Sequence, residues 1–331
     1  MAVNPSPLVI YSKPYLAVRD QVRLLVARGM EISDLDAAAA CLERIGYYRL
    51  SGYWFPFRKS GVYNDPQTGR LRLHVEDQFR PGTTFLQVMD LYTFDKRLRL
   101  ILLDAIERVE VALRVDIALL LGAKSPWAHR DPNHLHGKFS KRIDPQTGKP
   151  RHSKWLQRID EGFSKSKEEF VKHFKAKYQD DPPIWIAIEL WDFGTLSVII
   201  EGLQKADQDQ LSAKYRLPRR ELLTTLTRNI NNIRNICAHH SRLWNRSPAD
   251  QAAPPRVGEV PLLDHVVTDS NAQARIYSTI AALQFLLKTI NPTTTWGVRL
   301  KTLTETFPNV GGVAIAQAGF PNNWASQQPW S

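Results

Sequence analysis

Arg234, Asn235 and His240 stand close together in the run Arg234-Asn235-Ile236-Cys237-Ala238-His239-His240. Histidine is the side chain whose ordinary pKa suits proton transfer near neutrality. Arginine stays charged and offers a planar fork of donors that fits a phosphate. Asparagine can orient a phosphate or a neighbouring side chain without taking a proton. Cutting RNA without a metal needs a base for the 2′-hydroxyl, a cation for the phosphorus oxygens and an acid for the departing 5′-oxygen. These three residues supply such groups. An Arg-to-His pair at this spacing arises by chance in many basic chains, so its surroundings matter. Here Arg242, Leu243, Trp244, Asn245 and Arg246 follow at once, and the preceding helix is basic on one side and apolar on the other.

That helix is predicted to start at Pro218. Leu222, Leu226, Ile230, Ile233 and Cys237 repeat at spacings of three and four, which places them on one buried face. If the helix runs on through the motif, six residues from Arg234 to His240 mean about 9 Å of rise and about 120° of rotation. One chain then presents the two groups loosely. Two copies of the 219–246 helix about a two-fold axis would pool two guanidiniums and two imidazoles, so the spacing points to a homodimer. On the same helical reading His240 falls near the apolar stripe and faces a partner or cleft, while His239 is turned about 100° away. His239 remains a second candidate imidazole.

The rest of the chain must position these groups. Its 331 residues carry 44 Lys and Arg against 33 Asp and Glu, a net charge of +11. With 43% apolar residues the chain can bury a real core, which excludes disorder throughout. The basic balance points to a polyanion as partner, RNA above all. The charge is concentrated in two segments: 12 basic and 5 acidic residues in 138–177, and 8 basic and 1 acidic in 211–246. Lys138, Lys141, Arg142 and Lys154 in the first, and Arg216, Arg219, Arg220, Arg228 and Arg246 in the second, are the candidate phosphate contacts. Cys41 and Cys237 sit in apolar helical patterns, outside any CxxC, and read as core thiols of a reducing compartment. Residues 1–11 lack the pattern of a secretory leader, and no apolar run is long enough for a bilayer, so a cytoplasmic protein without membrane contact is expected.

Periodicity predicts an all-α architecture in three parts: an N-terminal helical and aromatic module over 1–80, a helical bundle over 81–292 with a basic insertion near 123–180, and a short mixed tail over 293–331. Helices are expected over 14–28, opened by Pro14 and closed by Gly29, and over 34–45, between Asp34 and Gly46. The aromatic run 47–58 is either packing or a base-stacking surface. Residues 59–82 suggest a hairpin about the turn 65–69. A long helix follows over 83–121, closed by Gly122. Then come a loop over 123–153 and helices over 153–178, where Glu168 and Lys172 can pair, and 184–202. A loop over 247–269 leads to helices at 270–290 and 296–305, and the chain ends in polar coil. Glu107, Glu110 and Arg114 share a face of the long helix and either anchor Arg234, line a dimer interface or form a surface ladder.

Two other functions compete. The same basic helix can hold RNA without cutting it. His129, His134, His136 and His152 invite a metal-hydrolase reading, but they lie in a loop without a helical H-x3-H or a matched carboxylate set. No metal or cofactor is therefore expected.

The run Arg234-Asn235-x-x-x-x-His240, continued by Ser241-Arg242-Leu243-Trp244-Asn245-Arg246, resembles the abortive-infection proteins of the AbiD and AbiF group, bacterial anti-phage proteins. Lys13-Pro14, the stretch Ile45-Gly46-Tyr47-Tyr48-Arg49-Leu50-Ser51-Gly52-Tyr53, the helix Ile106-Glu107-Arg108-Val109-Glu110-Val111-Ala112-Leu113-Arg114 and the tail Gly319-Phe320-Pro321-x-x-Trp324 resemble further parts of that group. The resemblance covers nearly the whole chain. It implies a HEPN-type helical bundle, metal-independent endoribonuclease chemistry, dimerisation and kinship with the RNA-guided type VI CRISPR nucleases. For the AbiF branch it also implies a bound structured non-coding RNA. Arg234 and His240 then match the catalytic pair and Asn235 the polar neighbour of the arginine, with His239, Glu107, Glu110, Arg114, Arg242 and Trp244 in support.

Overall fold

Asp34 and Gly46 bracket a helix as their chemistry requires. The Asp34 carboxylate accepts the Ala37 N–H at 2.9 Å, and the chain leaves the helix at Gly46 with φ of 93°. The computed structural model describes residues 10–12, 14–66, 69–308 and 312–330. Lys13, Gln67 and Thr68, and most of the segment read for a leader, lie outside the described residues. Two compact units divide the chain: Met1–Thr93 with Pro308–Val313, and Phe94–Phe307 with Ala314–Ser331.

The first unit contains α1 (Val18–Ala27), α2 (Leu35–Ile45), α3 (Tyr47–Trp54), a 3-10 turn at Phe55–Phe57, and an antiparallel hairpin of β1 (Arg58–Asn64) and β2 (Leu71–Phe79). α1 starts four residues later than Pro14 suggests. Residues 14–17 are not helical, and the Gln21 side chain reaches back to the Leu16 carbonyl at 2.9 Å. Tyr53, Trp54 and Phe57 are buried, and Tyr47 meets Trp54 edge-on at 4.8 Å between ring centres. Most of the aromatic run is therefore packing, with Tyr48 left exposed.

α4 (Phe85–Gly122) begins in the first unit and continues in the second. The second unit adds α5 (Gly137–Ser140), α6 (Arg151–Lys165), α7 (Glu169–Lys177), α8 (Ile184–Ala187), α9 (Phe193–Gly202), α10 (Lys205–Lys214) and α11 (Arg220–Ala238). It closes with α12 (Asp264–Val267), α13 (Ser270–Ala274), α14 (Ile276–Ile290) and α15 (Trp296–Glu305). The fold is mostly helical, and its one sheet among the described residues is the hairpin. α14 is the centre of the second unit, with eleven of its fifteen residues buried. Tyr277 of α14 is covered by Phe320, Trp324 and Trp330 of the tail; the Trp330 indole N–H donates to the Tyr277 hydroxyl at 3.0 Å.

Three predicted helices are interrupted. The segment 153–178 breaks at 166–168, where Ser166 and Glu168 are extended, so Glu168 precedes α7 and cannot share a helix face with Lys172. The segment 184–202 passes through a 3-10 turn and an extended Trp191 before Asp192 restarts it. The segment 270–290 breaks at Arg275, whose guanidinium donates to the Asn245 carbonyl at 3.0 Å. None of these breaks is at Gly or Pro. At two of them the chain meets a distant partner, Arg114 at the Trp191 carbonyl and the Asn245 carbonyl at the Arg275 guanidinium, which periodicity does not register.

The segment expected as loop over 123–153 contains α5 and is docked on α9. The His136 N–H donates to the Gly202 carbonyl at 2.8 Å. A Cβ on Gly202 would come within 2.3 Å of the Phe139 ring, so only glycine permits this approach. Among the described residues no helix is long and apolar enough to cross a membrane.

Candidate active site

The buried face of α11 forms as its spacing predicts: Leu222, Leu226, Ile230, Ile233 and Cys237 are all buried. The helix does not run through the motif. It ends at Ala238, and His240 takes a positive φ of 56°. The His240 N–H donates to the Cys237 carbonyl at 3.1 Å, and the Ser241 N–H donates to the Ile236 carbonyl at 3.0 Å. This pair of bonds closes a helix end in the Schellman manner, with His240 where glycine is usual. The rise and rotation expected from Arg234 to His240 therefore do not apply. His239 and His240 are both exposed, so His240 does not continue the buried stripe. The reversal lets Leu243 and Trp244 turn back into the core, where both are fully buried and Trp244 packs 5.6 Å from Phe307.

Arg234 and Asn235 lie on the last turns of α11. Arg234 is half-buried, and its guanidinium donates weakly to the Asn235 side-chain oxygen at 3.5 Å. Glu110 of α4 lies in the field of Arg234. Burial raises its pKa, the Arg114 and Arg234 guanidiniums pull it back, and Asp192 and Glu107 push it up again. Arg114 donates to Glu110 at 2.5 Å and to the Trp191 carbonyl at 2.6 Å. Asp192 then caps α9, accepting the Thr195 N–H at 2.7 Å, and pairs with Arg158 at 2.6 Å. Glu107, Glu110 and Arg114 thus belong with Arg234 in one electrostatic cluster, together with Asp192 and Arg158. The sequence reading missed the last two; the Asp192-x-x-Thr195 capping pattern was the available signal.

Asp95 and Arg99 were also missed. They form a buried ion pair on α4. Asp95 accepts the Leu243 N–H at 3.2 Å and the Trp244 N–H at 2.8 Å, and Arg99 donates to the Ser241 carbonyl at 3.3 Å. Two opposite charges four apart inside an apolar helix face were their signal. Cys237 lies in the field of the same pair; burial pushes its thiol up to about 12, Arg99 opposing and Asp95 adding.

The two basic segments meet at Glu201, which pairs with Arg151 at 3.2 Å and with Arg228. Beside it, Lys138, Arg151, Lys205 and Arg220 line an open groove of about 320 Å³. Lys141, Arg142 and Lys154 are exposed, as are Arg216 and Arg246. Arg219 is held by Glu259 through bonds of 2.9–3.2 Å, and Arg220 by Asp209 at 2.7 Å, so neither is presented to solvent without an acid beside it.

The four histidines of the metal reading have other surroundings; His134 ends a 3-10 turn and lies 3.8 Å from the Asp131 carboxylate. His129 is buried among Trp191 and other core residues, and burial, then Arg130 and His152, lower its pKa to about 3. His152 shares a hydrogen bond with the His129 carbonyl, and His136 accepts the Lys138 N–H. Among the described residues no group of three or more His, Cys, Asp or Glu side chains is arranged to hold a metal ion.

The sequence profile of the Abi-like protein family matches residues 40–245, more than half of the chain. The chain belongs to the Abi-like protein family. The match ends just past the Arg234–His240 motif and spans α4, the Glu110 cluster and α11. The family is implicated in abortive infection. No curated protein and no solved structure matches the chain.

Proposed function

We propose that this Abi-like protein is a metal-independent endoribonuclease of the HEPN type, acting on RNA in abortive-infection defence, with Arg234 and His240 as the catalytic pair. The observation that carries this reading is the conformation of His240. A non-glycine residue at a left-handed helix end costs about 1–2 kcal/mol. Glycine would close the helix without that cost, which supports a role for the imidazole at this position. Arg234, on the last turns of the same helix, sits beside an acidic cluster that can orient it.

In this mechanism a neutral imidazole takes the 2′-hydroxyl proton and the 2′-oxygen attacks phosphorus. Arg234 stabilises the charge on the non-bridging oxygens, and a protonated imidazole returns a proton to the leaving 5′-oxygen. In-line attack wants the base and acid on opposite sides of phosphorus. One chain supplies a single His240, so the reading includes a homodimer in which two chains contribute. Val111, Val115 and Leu119 form an exposed apolar line on α4 that begins one turn from Glu107, which supports such a pairing face. Exposed Lys141, Arg142, Lys154, Arg216 and Arg246 suit a structured RNA as partner. A cytoplasmic setting follows from an RNA substrate and two free thiols.

Product analysis tests the chemistry. Cleavage is expected to survive EDTA and to leave a 2′,3′-cyclic phosphate and a 5′-hydroxyl. Strict dependence on a divalent ion would sink the mechanism, and RNA binding without cleavage would turn the reading to a scaffold.

A further inference from the structure

We infer that Asp95 and Arg99 of α4 are positioning residues for His240; the inference rests on the reading of His240 as a catalytic imidazole. Beyond Ala238 the chain has no regular structure through Arg246. Its buried N–H groups at Leu243 and Trp244 need acceptors. A carbonyl could have served each of them. A fully buried carboxylate is a costly choice, because charge in the interior is stable only when paired and hydrogen-bonded. Asp95 meets both conditions. Its oxygens gather two consecutive amides, with Leu243 N at 3.2 Å from each oxygen and Trp244 N at 2.8 Å from Oδ1. Arg99, whose side chain is 5% exposed, neutralises it within the same helix turn.

The position of this pair gives it a role beyond burial. Ser241 is held from both sides: its N–H bonds the Ile236 carbonyl at the helix end, and its carbonyl receives the Arg99 guanidinium. His240 lies between the closed end of α11 and this second grip. The two sets of bonds together fix its backbone at φ of 56°, the conformation an L-residue leaves most readily. The direction in which the imidazole leaves the chain is thereby set by α4, a helix more than a hundred residues away in sequence.

The experiment uses the full chain carrying Asp95→Asn with Arg99→Gln, which removes both charges and keeps polar groups, and separately Arg99→Lys, which keeps the charge but shortens the reach to Ser241. Each is compared with wild type for the His240 imidazole resonances, amide exchange at Leu243 and Trp244, RNA affinity and single-turnover cleavage. The expected result is at least tenfold faster exchange at these two amides, with α14 amides unchanged, and a shifted His240 resonance. Cleavage is expected to fall tenfold or more while RNA affinity stays within twofold. Unchanged His240 resonances and protected amides in a folded variant overturn the inference. So does a loss of cleavage that merely tracks loss of RNA affinity. Should the double variant fail to fold, Arg99→Lys decides by the same readouts. If wild type cuts no RNA, the nuclease reading fails on its own, and the resonance and exchange data still decide whether the pair positions His240.

Discussion

α1 and α11 end with the same hydrogen bonds and different residues. At α1 the Gly29 N–H donates to Val26 and the Met30 N–H to Leu25; at α11 the His240 N–H donates to Cys237 and the Ser241 N–H to Ile236. Gly29 has φ of 91° and His240 of 56°. The first position uses the residue that suits the backbone. The second keeps a side chain at the expense of the backbone. A third helix end, at α10, lies between them: Arg216 has φ of 55°, and the Leu217 N–H donates to Ser212. Where the bonds are the same, the residue type reports what else a position is for. At Gly29 there is nothing else to report.

His240→Gly is the strongest test of that contrast. It should lower cleavage by about 10²–10⁴-fold, the range for loss of an acid-base group. Chemical denaturation should show the variant at least as stable as wild type. His239→Gly should remain active, and an active His240→Gly beside a dead His239→Gly would move the catalytic role to His239. The reciprocal change comes next. Gly29→His should cost about 1–2 kcal/mol of stability and leave cleavage untouched. The nearest non-neighbouring atom to a Cβ there is the Phe79 carbonyl oxygen at 3.8 Å, so the β-carbon itself meets no collision, and Gly29→Ala run beside it isolates the conformational part of the penalty. No penalty would remove the basis for reading His240 as held against its preference.

Arg216→Gly should gain up to about 1 kcal/mol in stability. If Arg216 meets phosphate, RNA affinity should fall uniformly across sequences and the salt slope should drop by about one. Unchanged binding would make α10 a helix end kept for no nucleic-acid contact. The smallest effect is at Cys237, whose carbonyl accepts the His240 N–H. With its thiol pushed up to about 12, the thiolate at pH 8 is on the order of one part in 10⁴. Alkylation should therefore modify half-buried Cys41 and spare Cys237 until the protein unfolds. Rapid labelling of Cys237 in the native protein would mean that the end of α11 frays.

The contrast also explains what the sequence makes legible. Asp34 and Gly46 announce both ends of α2, and the α11 stripe is visible as far as Cys237. The end of α11 is not, because the usual punctuation is glycine and here it is histidine. The expected 219–246 helix therefore runs well past the observed end at Ala238 and gives His240 a face it does not have. The break at Arg275 is silent for a related reason: the partner its side chain meets there is the Asn245 carbonyl, thirty residues upstream. α10 escapes because polar Asp207, Gln208 and Ser212 are buried with Leu211, so no apolar stripe marks it. The identities of the candidate site residues are local, and so they are legible. Asp95, Arg99 and Asp192 leave only faint local signals, a pair of opposite charges four apart and a capping pattern, and their place beside the candidate site comes from contacts distant in the chain.

The covering of Tyr277 has a consequence for the order of synthesis. Trp330 and Trp324 close over a residue of the central helix, and Lys301 fastens the Trp330 carbonyl at 2.9 Å. On a ribosome, α11 and its arginine-histidine pair are complete long before residues 320–330 are made. Until then α14 lacks part of its apolar cover. A chain that stops after α15 carries every candidate catalytic side chain and has no finished core to hold them. The core of the second unit is therefore completed only after residues 320–330 are made, well after the segment that carries Arg234 and His240.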